Sequence, residues 1–212
     1  MINAVEFYKK FKERVLENYR DANGNTYLDI YRNDSQYTEL INKILIPEII
    51  RSLDNDLKTQ HEYFRIDIIG WKGKYLTLDE ETAKDVGLNH HLWDLKIAVE
   101  HENSKTDWLD EVIKLVHIRC PLKVIIAYNH CDQRDEPERK KLSYAAKCMN
   151  MVEAFKDSLD KEEYLIIIGN GSPKNKNNLS YTTFDYRGYI YNSHSKIFEQ
   201  IILQKEKTPL MQ

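Results

Sequence analysis

Glycine, proline and cysteine are all scarce in this sequence. Seven glycines and five prolines among 212 residues argue against collagenous, linker-like and disordered chains. Three cysteines are an odd number in so long a chain, so a disulfide framework is not expected. The predicted compartment is therefore a reducing cytoplasm.

Long apolar runs are also missing. The longest cover residues 122–128 and 164–168, far short of the ~20 residues that a membrane span needs. Charges recur every few residues near the N-terminus, which argues against a signal peptide. We expect a soluble protein with no membrane partner.

A basic excess is absent as well. The chain has 31 Lys plus Arg against 34 Asp plus Glu, a net charge of −3, which by itself disfavours a nucleic-acid partner. Its 42% of hydrophobic residues suffice for a core, and its 31% of charged residues suffice for a solvated surface. The length predicts a single domain over residues 1–212.

The spacing of apolar residues predicts an alternation of helices and strands. Helices are expected from Asn3 to near Tyr19, from Ser35 with a kink or break at Pro47, from Thr106 or Asp107, from Pro137 through Phe155, and from Ser195 to Gln204. Strands are expected at 62–71, 74–78, 92–102, 122–128 and 164–169, with a hairpin at 180–192. Two strands joined by a helix are usually parallel neighbours in a sheet, as expected for the strands at 92–102 and 122–128. The predicted fold is therefore α/β, with a mixed β-sheet flanked by helices.

Acidic residues occupy three unexpected positions in these apolar strands. Glu100 and Glu102 end the 92–102 strand, and period 2 places both on one face, with Cβ atoms about 7 Å apart. Asp67 lies in the equally apolar strand FRIDIIGW. If these strands pair, three carboxylates converge, and Mg²⁺ prefers such oxygen ligands. Considered singly, each acid could instead be an ordinary residue at the edge or end of a strand, where its carboxylate is exposed to water.

These residues resemble the motif of the PD-(D/E)xK nuclease superfamily. The matching features are Asp67 in RIDIIG, the run from Glu100 to Ser104, a helix, and the strand that begins LKVII. The resemblance implies a restriction-endonuclease-like core over about 35–130, with a C-terminal elaboration over about 135–205. It also implies a Mg²⁺ (or Mn²⁺)-dependent enzyme that hydrolyses phosphodiester bonds, with DNA as the expected substrate, in restriction, phage defence or repair.

The resemblance assigns roles to particular side chains. Asp67 and Glu100 would bind the metal ion with the backbone carbonyl of His101, and Glu102 would position or deprotonate the attacking water. Glu39, on the preceding helix, is the candidate for an additional catalytic acid.

The sequence departs from the family motif in two places. Ile66 replaces the usual proline, and Glu102 stands where the motif has lysine. A Glu-x-Glu variant is known among some type II restriction endonucleases. Lys123 or Lys96 could supply a displaced cation.

Basic clusters are the candidates for binding DNA, since phosphate contacts dominate affinity for nucleic acids. They comprise Arg139, Lys140 and Lys141 at a helix start, and Lys174 and Lys176 in a polar loop. Charged runs of this kind are more often solvated surfaces. The alternative function is a catalytically inactive nuclease-like module that binds nucleic acid or a partner protein, and the sequence leaves open whether two chains form a homodimer.

Overall fold

The structure is a computed structural model. It describes residues 2–17, 24–26, 29–30, 34–73, 85–87, 93–104, 106–129, 136–157, 161–170 and 185–203. The predicted strand at 74–78, the first part of the predicted hairpin, Tyr19, Lys174 and Lys176 lie outside these ranges.

Six α-helices are found in this part of the chain. They are α1 (Ala4–Lys12), α2 (Asp34–Glu39), α3 (Ile46–Leu53), α4 (Trp108–Val116), α5 (Glu136–Met151) and α6 (Glu153–Lys156). Asn3 caps α1, because its side chain accepts a hydrogen bond from the Glu6 N–H at 2.9 Å. A π-helical stretch, Glu13–Glu17, continues α1, and another, Leu40–Leu45, joins α2 to α3.

Pro47 does not interrupt the helical run of residues 34–53. It stands in the first turn of α3, where its missing N–H costs least, directly after the π-helical stretch. The predicted kink or break is thus replaced by a local change of helix type.

Seven strands form one mixed sheet in which spatial order follows chain order. They are β1 (Lys58–Tyr63), β2 (Ile66–Gly73), β3 (Trp93–His101), β4 (Leu122–Asn129), β5 (Glu163–Asn170), β6 (Tyr186–Asn192) and β7 (Ile197–Gln200). Strands β3, β4 and β5 are parallel, and the other neighbouring pairs are antiparallel. The predicted α/β fold with a mixed sheet flanked by helices is confirmed.

Helices cover both faces of the sheet. Phe7 and Phe11 of α1 and Ile49 of α3 pack on one face with Val99 and Ile126. On the other face, α4, α5 and α6 pack against alternate residues of the same strands, including Ala98, Ile125 and Ala127. Every residue of β4 is buried, as its apolar sequence predicts.

Two predicted elements are wrong. The segment 62–71 is not one strand, because the chain turns at Phe64 and Arg65, which have φ of 48° and 63°, and so separates β1 from β2. Residues 197–200 of the predicted final helix form β7, which pairs with β6. Phe198 is buried beside Tyr191, so tertiary packing decides its conformation.

The described helices contain no segment long and apolar enough to cross a membrane. Cys120 and Cys148, the two cysteines within the described ranges, are free thiols.

Candidate active site

Asp67 and Glu100 lie side by side on neighbouring strands. The register of β2 and β3 pairs Ile68 with Val99, and one step further brings Asp67 opposite Glu100. The Asp67 N–H lies 3.4 Å from Glu100 Oε2, and the His101 N–H donates to Asp67 Oδ2 at 2.8 Å. The pairing of two acids predicted from the sequence is therefore present.

Both carboxyl groups are held in a poorly hydrated place. Glu100 is 1% exposed, and burial raises its pKa to about 8, although Lys114 opposes this and Asp67 adds to it. Burial also raises the pKa of Asp67, against the effects of the His101 N–H and Lys114. The pair consequently tends to retain a proton near neutral pH unless further positive charge compensates it.

Lys114 of α4 is the cation at this pair. Its Nζ lies 2.7 Å from Glu100 Oε1 and 2.8 Å from the backbone oxygen of Arg65, and it also pairs with Glu111. Partial burial acts to lower the pKa of Lys114, but Glu100 and Glu111 together outweigh it and raise that pKa. The Arg65 oxygen accepts a hydrogen bond from Lys114, and the two glutamates form ion pairs with it, so three groups hold this ammonium in place.

Glu102 does not join the two acids. It follows the end of β3, where its N–H donates to Ile126 O at 2.9 Å, and its Oε1 accepts the Ser104 N–H at 2.5 Å. Across the described ranges, no three His, Cys, Asp or Glu side chains form a group able to hold a metal ion. The predicted convergence of three carboxylates is thus reduced to a pair, because β3 ends at His101 and the Glu102 carboxylate accepts the Ser104 N–H.

The His101 imidazole points to the opposite face of the sheet. Its two ring nitrogens lie 2.8 Å from Asn42 Oδ1 and 2.9 Å from the Tyr128 hydroxyl. Burial lowers the pKa of His101 to about 3, so the ring is neutral. Tyr37 and Tyr186 extend this buried network through their hydroxyl groups. The His101 side chain therefore anchors the end of β3, while its backbone N–H orients Asp67.

Three other candidates for the site lie elsewhere. Glu39 is exposed and pairs with Lys43 at 2.8 Å. Lys96 pairs with Asp94 at 3.3 Å, near the other end of β3. Lys123 is fully buried and pairs with Glu162 at 2.5 Å. Each is engaged locally, so the structure does not bring it to Asp67 and Glu100.

The predicted basic cluster lies on α5. Arg139 and Lys140 are exposed, and Lys140 forms an ion pair with Glu136 at 2.7 Å. Lys141 is half-buried and donates to Asn129 Oδ1 at 2.8 Å. Residues 174 and 176, the other basic candidates, lie outside the described ranges.

Sequence reasoning missed Lys114 and Glu111. Both flank the apolar stripe of α4, and a helix that connects two parallel strands covers one face of their sheet. Glu100 lies on the same face of the sheet as Ala98, which packs beneath α4. Polar residues beside the apolar stripe of α4 could therefore have been predicted to lie near Glu100.

Comparisons with protein-family models, with curated proteins and with solved structures find no match to this chain.

Proposed function

We propose that the chain is a metal-dependent nuclease that hydrolyses phosphodiester bonds in DNA, built on a restriction-endonuclease-like core. The observation that carries the proposal is the buried Asp67 and Glu100 pair on neighbouring strands, with Lys114 against Glu100. A structural role alone accounts poorly for it, because burying two carboxyl groups side by side in a sheet costs stability even when a proton and a lysine reduce their charge. The free thiols of Cys120 and Cys148 support a reducing, cytoplasmic setting.

The donor set fits a magnesium or manganese ion. Such ions commonly use one or two carboxylates and complete their coordination with water and phosphate oxygens. Glu100 Oε1 has no partner other than the Lys114 ammonium among the described residues. Asp67 and Glu100 would hold the ion, which when bound would supply Lewis acidity and a more acidic water.

Lys114 supplies the positive charge that the motif lacks at Glu102. Its ammonium holds Glu100 in position and lies where it could stabilise negative charge that develops on a phosphate beside the two acids. His101 contributes through its backbone, since its N–H fixes one oxygen of Asp67 beside Glu100.

Cleavage of supercoiled plasmid DNA tests the activity. The purified chain should nick or cut the plasmid with Mg²⁺ or Mn²⁺ but not with EDTA, and Glu100→Ala should abolish cleavage while the chain remains folded. Glu39→Gln is the matched control, because this glutamate is exposed and forms its ion pair with Lys43. Cleavage by Glu100→Ala at the wild-type rate would contradict the assignment.

The position of Glu102 favours a second candidate, a catalytically inactive nuclease-like module that binds nucleic acid or a partner protein. Its carboxylate accepts the Ser104 N–H, and among the described residues it forms no three-residue metal-binding group with the two acids. Calorimetric titration with Mn²⁺ separates the two functions. Binding that is lost in Asp67→Asn supports the nuclease, whereas absence of binding supports the inactive module.

A further inference from the structure

A cleft of about 440 Å³ lies between the start of α4 and the middle of α5. Its lining consists of apolar, aromatic and basic side chains: Thr106, Trp108, Leu109, Lys140, Lys141 and Tyr144. This volume falls within the ~300–1,000 Å³ of small-ligand sites, and the two charged residues that line the cleft are both lysines. The cleft therefore suits a ligand with one flat apolar part and one anionic part.

Lys141 is held in place by a buried polar network. Its Nζ donates to Asn129 Oδ1, and the Asn129 amide donates to Glu138 Oε2, each at 2.8 Å. Glu138 is fully buried and pairs with Arg187 at 2.6 Å. Lys141 is thus fixed at the cleft, unlike a surface lysine that moves freely in water.

Tyr144 and Lys140 stand beside this fixed ammonium. Tyr144 is 61% exposed, so an aromatic ring is open to solvent at the cleft. Lys140 forms an exposed ion pair with Glu136, and pairs of this kind contribute little stability, so a phosphate can replace Glu136. Aromatic rings that stack on bases beside cations that contact phosphates are typical of single-strand binding sites.

Helix α4 connects the cleft to the acidic pair. Trp108 and Leu109 line the cleft, and Lys114 of the same helix contacts Glu100. Six residues of helix separate Trp108 from Lys114, a rise of about 9 Å, which a few nucleotides of an extended strand can span.

We propose that this cleft binds one unpaired nucleotide of the DNA strand, with its base on Tyr144 and its phosphate on Lys140 and Lys141. The proposal rests on the proposed nuclease function, for which it supplies a subsite. The bound base must be unpaired, because the Tyr144 ring at the cleft can contact the face of a base only after that base has left the stacked bases of the duplex.

Fluorescence anisotropy with a labelled single-stranded DNA 12-mer, measured in EDTA, tests the subsite. Tyr144→Ala and Lys141→Ala should each weaken binding about tenfold. Tyr144→Phe keeps the ring and should bind like the wild type. Lys147→Ala removes an exposed positive charge from the same helix outside the cleft and is the matched control for electrostatics.

Wild-type affinity in Tyr144→Ala, equal weakening by Lys147→Ala, or tighter binding of the matching duplex would each overturn the subsite. Circular dichroism verifies that each variant is folded. Because binding is measured without metal, the subsite stands or fails independently of cleavage. If the cleft variants lose DNA binding but the wild-type chain cleaves no plasmid, the nuclease function is rejected and the subsite is retained. If the wild-type chain cleaves plasmid but the cleft variants bind DNA as well as it does, the subsite is rejected and the nuclease function is retained.

Discussion

The buried carboxyl of Glu100 makes the stability of the molecule depend on pH. Its pKa of about 8, against an ordinary value of 4.5, means that the folded chain retains a proton that the unfolded chain has lost. Stability should therefore fall as the pH rises from about 5 to about 8, and Glu100→Gln should remove most of that fall. The midpoint of urea unfolding, measured in EDTA at about pH 5 and about pH 8 for the wild type and the variant, tests this prediction. An equal fall in the variant would contradict the assigned cause.

Two lysines of the same face should respond differently to removal of their charge. Lys123→Met leaves Glu162 buried without its partner and should lower the free energy of unfolding by about 3–5 kcal/mol. Lys114→Met should cost less, because Glu100 can take up a proton, yet it should slow plasmid cleavage about a hundredfold. Urea unfolding and cleavage rates separate these effects. Cleavage at the wild-type rate by Lys114→Met would show that this lysine has no role in the reaction.

At the residue scale, the sequence predicted the pair but not its cation. Alternation along β3 gives the face of Glu100, and the assumption that the two strands pair, together with the family resemblance, placed Asp67 near it. Lys114 could not be matched in this way, because its reach depends on how α4 is rotated on the sheet. Glu102 was misplaced because period 2 holds only while the strand continues.

At the scale of elements, the docking of α1 on β6 depends on a missing side chain. A Cβ at Gly188 would lie 2.7–2.9 Å from ring atoms of Tyr8, whose hydroxyl donates to Tyr186 O at 2.7 Å. Gly188→Ala should therefore destabilise the fold by about 1–3 kcal/mol. Gly73→Ala is the control, since a Cβ there meets nothing closer than 3.9 Å. Equal urea midpoints for the two variants would contradict this packing.

The elements that the sequence predicted best are those whose pattern is dictated by burial. Strands β4 and β5 are apolar along nearly their whole length, and both were placed within one or two residues. Strand β7 was mistaken for a helix because only one of its four residues is buried, so the pairing with β6 decides its conformation. The turn at Phe64 and Arg65 contains no glycine that would have marked it.

At the scale of the whole molecule, the sheet continues without a break from the site-bearing strands to the C-terminal ones. Eight residue pairs join β4 to β5, and all of β4 is buried. A chain cut after Asn129 would expose that strand along one edge and would remove α5 and α6 from one of its faces, so we expect no cooperative urea transition from it. A cooperative transition followed by circular dichroism would show that residues 1–129 fold alone.

The order of the strands also has a consequence for how the chain folds. Each strand pairs with the next one in the chain, so the sheet can assemble one strand at a time in chain order. Helix α1 is the exception, because its bonds to Glu163 and Tyr186 join residues 159 and 178 positions apart. These contacts can form only after β5 and β6 are in place, so α1 should dock late in folding. A substitution that weakens the Tyr8 contact should therefore accelerate unfolding more than it slows folding.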